Sequence, residues 1–440
     1  MCIQCSMKTY ATIITLLLLL AGCATQPPTR LTPSGRNSAF SFDASQPFSA
    51  YIEHYRAIIQ ATRTDLDGAD RERTLAANLP FELKPDTTTF PTAADGRYHQ
   101  GIILVHGLSD SPYLMKALGE HFQSRGFLVR AVLLPGHGTR PGDLTKVTEV
   151  AWRQALEYVA QDTSRQVEHL YLAGFSTGGT LAVDYALEHP GSIVGLFLFS
   201  PCLQVKSSSA RWANLLGLFQ TWLDINNDQD FAKYESFPVN AVAQIVTLTD
   251  RIKELANRHP ERLSLPVFIA LSGEDETVDS AFTVNFFQNQ LKNPVDHLLI
   301  YSAERIPPVF PDPRITVVGS FLPGRKILSL SHLALTIPAE NPHYGSKGDY
   351  RSCLHYPTTS AEFKDCNAGR AAWLGEKTSA NLKTGLLQRL TWNPRFTLQN
   401  DELDRFLFAL EPPAATITAA KPDVVSTSSQ PGRCICSSGL

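Results

Sequence analysis

The sequence predicts an α/β fold: a mostly parallel sheet with helices on both faces and one inserted helical segment. Three observations carry this. Apolar runs of about six residues alternate with amphipathic helical stretches from residue 100 to residue 290. The runs are continuously apolar, as strands buried on both faces are. The chemically interesting residues, His106 and Ser176 among them, fall where a run ends, and sites in such sheets lie outside the carboxyl ends of the strands.

Residues 50–67 have helical spacing through Tyr51, Tyr55, Ile58, Ile59 and Ala61. Residues 100–105 are a buried strand ending at His106-Gly107. Residues 112–125 form an amphipathic helix with Leu114, Ala117, Leu118 and Phe122 on one face. The next strand, 128–134, is closed by Pro135-Gly136-His137-Gly138. A helix over 150–161, a strand from 167, a helix over 180–189 and a strand over 193–199 follow. Residues 201–264 break the alternation. Trp212, Leu215, Leu216, Leu218, Phe219, Trp222 and Leu223 are too many for one narrow helix face, so we read a helical cap over the strand ends. A strand over 267–271 resumes the sheet. Residues 280–290 are a helix, 315–331 carry the last strand, 342–390 are irregular, and 400–410 end the domain as a helix.

The chain has 440 residues, 18% of them charged, and a formal net charge of −3. It has no block of like charge, so nothing points to nucleic acid.

The chemistry centres on Gly174-Phe175-Ser176-Thr177-Gly178, which sits between a strand and a helix. A serine at such a sharp turn adopts a strained backbone, and glycines two positions away remove the Cβ atoms that would collide. A serine hydroxyl needs a base, and the imidazole of that base needs a carboxylate to fix its tautomer. In this kind of sheet the chain order is serine, acid, histidine. Four carboxylates crowd the end of the 267–271 strand: Glu274, Asp275, Glu276 and Asp279. Asp275 is the first choice because a glycine turn precedes it and Val278 can anchor its loop. Glu276 and Asp279 are the alternatives, and Asp279 could instead cap the following helix. His332 follows the last strand and is the base; His343 and His355 lie in proline-containing irregular sequence. Two backbone N–H groups should hold the oxyanion, those of Leu108 and Thr177. His137 precedes the serine, against the usual order, and reads as a structural residue bonded to backbone near the oxyanion turn.

The segments His106–Pro112 (His-Gly-Leu-Ser-Asp-Ser-Pro), 134–139 (Leu-Pro-Gly-His-Gly-Thr) and 174–179 (Gly-Phe-Ser-Thr-Gly-Gly) together resemble the α/β-hydrolase superfamily. Within it they are similar to the monoacylglycerol lipase and carboxylesterase branch, the serine aminopeptidase-like group. The resemblance covers about residues 101–345. It implies a catalytic triad, no cofactor, no metal, a helical cap and hydrolysis of carboxylic esters. It departs from the family in the long stretch between Asp275 and His332. A peptidase of the same fold, and a catalytically retired protein that binds lipid or a partner, are the rival readings. The cap carboxylates Asp224, Asp228, Asp230 and Glu235 could serve a peptidase by binding a substrate amine.

The N-terminus reads as a targeting segment, with Lys8 before an apolar core over 13–20 that is too short to span a membrane. Leu20-Ala21-Gly22-Cys23 resembles a bacterial lipobox, which implies cleavage after residue 22 and acylation of Cys23. Ala24 then favours the outer membrane. The expected organisation is a signal peptide over 1–22, a flexible tether over 23–48, a domain over 49–410 and a low-complexity tail over 411–440. Export exposes the cysteines to an oxidising compartment. Cys353 and Cys366 are expected to pair. Cys434 and Cys436 lack an accompanying histidine, which argues against a metal site there.

Overall fold

The computed structural model describes residues 28–410 except 67, 207–216, 218, 219, 307 and 371. Helices α1 (Phe48–Thr62) and α2 (Arg71–Asn78) precede strands β1 (Phe81–Leu83) and β2 (Tyr98–Val105). Then come α3 (Lys116–Gln123), β3 (Phe127–Val132), α4 (Glu149–Ser164), β4 (Val167–Phe175), α5 (Thr177–Glu188) and β5 (Gly195–Phe199). A small hairpin of β6 (Trp222–Asp224) and β7 (Phe237–Pro238) leads into α6 (Val239–Arg258). The sheet resumes with β8 (Val267–Ser272), α7 (Ser280–Gln290), β9 (His297–Ser302) and β10 (Ile315–Gly319). Last come α8 (Ala361–Asn367), the short parallel pair β11 (Trp373–Gly375) and β12 (Leu387–Arg389), and α9 (Phe396–Leu410).

The main sheet has eight strands in the order β1-β3-β2-β4-β5-β8-β9-β10. Only β1 runs antiparallel to its neighbour; the other pairings are parallel. Parallel neighbours require crossovers, which helices supply except between β9 and β10, where no helix is seen among the described residues. Alternate side chains point to opposite faces. In β2, Ile103 and Val105 join one core with Tyr51, Trp152, Leu181 and Ile245. Ile102 and Leu104 join a second with Leu118, Phe122, Leu403 and Phe406. Buried Arg130 in β3 is neutralised by Asp162 at 2.7 Å and Glu82 at 2.8 Å.

Helix starts follow local chemistry. The Thr148 side chain accepts from Ala151 N–H to open α4. Asp279 accepts from Phe282 N–H to open α7, the cap role read for it above.

Several regions differ from expectation. Strand β9 is not among the expected elements. The strand expected over 315–331 ends at Gly319, followed by loop and the short helical turn Pro323–Arg325 before His332. The segment expected as a tether over 23–48 is packed chain from residue 28: Leu31, Asn37 and Phe42 are buried, and Asn37 Nδ2 donates to His137 O at 2.7 Å. Few but well-placed apolar residues suffice there because the partner surface is already built. The helical reading of 201–264 is replaced over 222–238 by a hairpin and loop. Helix α6 packs against α5 with Ile245, Leu248 and Ile252 in the main core, so it is a layer helix rather than part of a cap. Trp212, Leu215, Leu216, Leu218 and Phe219 lie outside the described residues, as do Cys23, Cys434, Cys436 and the expected signal peptide and tail. Cys353 and Cys366 form a disulfide. Among the described residues no helix is long and apolar enough to cross a membrane.

Candidate active site

Ser176 sits between β4 and α5 with φ 53° and ψ −116°, a region that non-glycine residues rarely occupy. The two flanking glycines are dictated by space. A Cβ on Gly174 would lie 2.3 Å from the Gly178 carbonyl carbon, and one on Gly178 would lie 2.0 Å from Val105 O. The turn is pinned by Ser176 N–H donating to Phe199 O at 2.9 Å and Cys202 N–H donating to Ser176 O at 3.1 Å. Cys202 is buried, and burial pushes its thiol up to about 12.

His332 begins a single helical turn, His332–Ala334, far along the chain. Its Nε2 lies 3.1 Å from Ser176 Oγ. Its Nδ1 lies 2.7 Å from Asp275 Oδ2. A carboxylate can only accept when ionised, so Nδ1 carries the proton and Nε2 is left to accept from the hydroxyl. Asp275 is fully buried, and its other oxygen accepts Thr277 N–H at 2.7 Å and Val278 N–H at 3.0 Å. Burial alone would raise this carboxyl. The adjacent His332 and the two N–H bonds outweigh it and hold the group below its ordinary value.

The other carboxylates of that loop are engaged elsewhere. Glu274 accepts Ala303 N–H at 2.8 Å, Glu276 pairs with Lys206 at 3.2 Å, and Asp279 caps α7. Lys206 also reaches the Asp275 carbonyl at 2.5 Å.

Thr177 is the first residue of α5, so its N–H has no carbonyl four residues back. Leu108 lies in the turn after β2, next to Ser109, whose φ is 64°. Two buried histidines shape that turn. His137 Nε2 accepts Ser109 N–H at 3.1 Å, while its Nδ1 faces the carbonyls of Leu134 and Pro135. His106 Nε2 accepts Leu134 N–H at 3.1 Å. Burial lowers His137 to about 4 and His106 well below its ordinary value, so both stay neutral and can accept. His137 therefore braces the turn and does not touch Ser176.

Sequence reasoning missed the residues that lean on this turn from outside. Tyr234 N–H donates to Ser109 O at 2.8 Å, and Thr139 N–H donates to Tyr234 Oη at 2.7 Å. Lys233 lies 3.7 Å from buried Asp110. Nothing in a polar loop sequence marks such contacts before the fold brings them together.

A sheet of this order, with a serine on the strained turn between β4 and α5, is the α/β-hydrolase fold. Residues 96–303 match the sequence family Hydrolase_4, described as serine aminopeptidase, S33. The chain is 27% identical over 184 residues to a thermostable monoacylglycerol lipase of Bacillus sp. (strain H-257), covering 40% of this chain and 71% of that one. It is 20% identical over 200 residues to a carboxylesterase of Bacillus subtilis (strain 168), covering 44% and 78% respectively. A solved monoacylglycerol lipase of Paleococcus ferrophilus aligns over 51% of this chain and 88% of its own, with a TM-score of 0.41 and 20% identity. The family match ends before His332 and before the disulfide-bonded segment.

Proposed function

We propose that this protein is a serine esterase that hydrolyses acyl esters, lipid-like ones included. The observation that carries the reading is the unbroken contact from Ser176 Oγ to His332 Nε2 and from His332 Nδ1 to Asp275. Ser176 Oγ attacks the ester carbonyl while Nε2 takes its proton. The N–H groups of Leu108 and Thr177 receive the oxyanion. The imidazolium, stabilised by Asp275, then protonates the leaving alcohol. Water, deprotonated by the same imidazole, attacks the acyl-serine and frees the acid. The relatives named as monoacylglycerol lipase and carboxylesterase support the substrate class.

The peptidase alternative needs a free carboxylate to bind a substrate amine. Here Asp228 is paired with Arg30, Asp230 accepts from Tyr344 Oη at 2.6 Å, and Glu235 accepts from Tyr350 Oη at 3.0 Å. Asp224 is exposed and, among the described residues, accepts only from Asn226 Nδ2 at 3.0 Å, so it is the one cap carboxylate left for an amine. The engagement of the other three favours esters. We also propose a place at the bacterial envelope, tethered through acylated Cys23. The Cys353–Cys366 disulfide supports an oxidising compartment.

The purified protein should hydrolyse a p-nitrophenyl acyl ester faster than the matching aminoacyl amide. Ser176→Ala should lower kcat by at least about 1,000-fold. Undiminished turnover by that variant would refute the mechanism. A wild-type Ser176 that resists a fluorophosphonate probe would favour the retired, binding-only alternative.

A further inference from the structure

We infer that Glu376 and Arg389 are a positioning pair that ties the acid loop to the base turn of this site; the inference rests on the esterase reading above. Both residues lie beyond the family match. Strands β11 and β12 pair in parallel with Gly375 opposite Arg389, which puts the next residue, Glu376, beside the guanidinium. The contacts form a closed circuit. Glu376 Oε2 accepts His332 N–H at 3.0 Å. The same oxygen accepts from Arg389 Nη2 at 2.9 Å, and Arg389 Nε lies 2.7 Å from Oε1. Arg389 Nη2 also donates to Thr277 Oγ1 at 2.8 Å. Thr277 N–H donates to Asp275 Oδ1, and Asp275 Oδ2 returns to His332 Nδ1.

The Glu376 side chain is fully buried and neither Asp275 nor His332 is exposed. A buried ion pair is weak support for stability alone. Its value here is geometric: it holds a backbone N–H of the base and the hydroxyl of a residue that cradles the acid. Misplacing catalytic groups by about 1 Å costs on the order of 100-fold in rate. The pair is also electrostatically neutral beside the imidazole. Among the described residues the charged groups around that turn are Asp275, Asp110 with its partner Lys233, Glu376, Arg389 and Lys377. The Lys377 N–H donates to Glu376 Oε1 at 2.8 Å, and its ammonium feels both members of the pair.

The test measures kcat, KM and the pH profile of kcat/KM on a p-nitrophenyl ester, using the full chain. Glu376→Gln keeps an acceptor for His332 N–H but leaves Arg389 uncompensated. The remaining positive charge disfavours the imidazolium, so the acid limb should move to lower pH by about half a unit. Glu376→Gln/Arg389→Met restores neutrality and removes the bridge to Thr277. Its acid limb should return to the wild-type position while kcat stays lower by about tenfold at unchanged KM. An acid limb that does not move in the single variant, or wild-type kcat in the double variant, overturns the inference. Should Glu376→Gln not fold, Glu376→Asp keeps the charge and retracts the acceptor; wild-type kcat there overturns it equally. Ser176→Ala separates the two levels. Turnover retained by that variant sinks the esterase reading. Turnover lost in it, with the Glu376 variants unchanged, sinks only the positioning pair.

Discussion

The two halves of the site are held by opposite means. Ser176 is fixed mainly by its neighbours in the chain: a strained turn, two glycines with no room for a Cβ, and a strand and helix on either side. Phe199 O and Cys202 N–H pin the turn from the end of the next strand and just past it. His332 is fixed by partners 44 and 57 positions away, Glu376 and Asp275. The proposed nucleophile is a local device and the proposed base a tertiary one. Damage to the glycines of the first should therefore appear as failure to fold. Damage to the second should appear as failure to turn over.

The largest effect expected is on the base side. Asp275→Asn keeps the shape of the loop but favours the wrong imidazole tautomer. Activity should fall by about 10,000-fold while the folded state persists, read by turnover and by circular dichroism on the same sample. An inactive Asp275→Asn protein that is also unfolded would break the contrast.

The nucleophile side is tested by Gly178→Ala. The new methyl would meet Val105 O at 2.0 Å and His106 O at 2.7 Å, both backbone atoms that cannot swing aside. The expected loss is about 4 kcal/mol or more, seen as a large drop in the urea midpoint or as insoluble protein. A variant of wild-type stability would show that the turn has more freedom than its packing implies.

Between the halves lies the histidine that braces the oxyanion turn. His137 has its folded value near 4 against an ordinary 6.5, so the folded state holds it neutral. The unfolded chain binds the extra proton between those values. Stability is therefore full above about pH 6.5 and falls as pH drops toward 4, by about 3 kcal/mol for this one group. Burial of His106 acts in the same direction. Thermal melts from pH 7.5 to 4 should show the decline, and His137→Ala, weaker at neutral pH, should show a shallower one. Equal slopes would remove His137 from the account.

This contrast also explains what was legible beforehand. The Ser176 turn could be read because the residues that force its conformation are five consecutive ones, even though Phe199 and Cys202 also pin it. The contact of His332 with Asp275 and Ser176 could be anticipated from chain order, and the cap by Asp279 from its place before a helix, because each rule concerns position along a strand or helix. Strand β9 was missed: His297 to Ser302 is a short apolar run that follows Asn293-Pro294 without a helix after it, so the alternation rule had nothing to count. The packing of 28–47 was missed because its polar composition is that of a linker, and only the finished groove around His137 makes Asn37 a buried residue. Glu376 and Arg389 are lone charges in irregular sequence, and their meaning exists only once β11 lies beside β12.

The smallest effect expected concerns how that late segment stays in place. The Cys353–Cys366 bridge closes a stretch with 13 residues of separation. Ser352, beside it, accepts Arg389 N–H at 3.0 Å, so the staple holds the strand that carries the guanidinium. Loop-closure entropy puts its contribution at about 3 kcal/mol at most, and strained or structured reference states reduce that. Replacing both cysteines by serine should lower stability by about 2 kcal/mol and leave kcat within about threefold, because Glu376 and Arg389 remain joined to each other. The sheet half offers the control, since Cys202 is buried there without a partner among the described residues. A reductant should thus shift the melting temperature of the wild type and not that of the double serine variant. Were reduction instead to abolish turnover while the melt barely moved, the disulfide would belong to the active-site scaffold itself, and the tertiary half of the site would extend further from His332 than its hydrogen bonds reach.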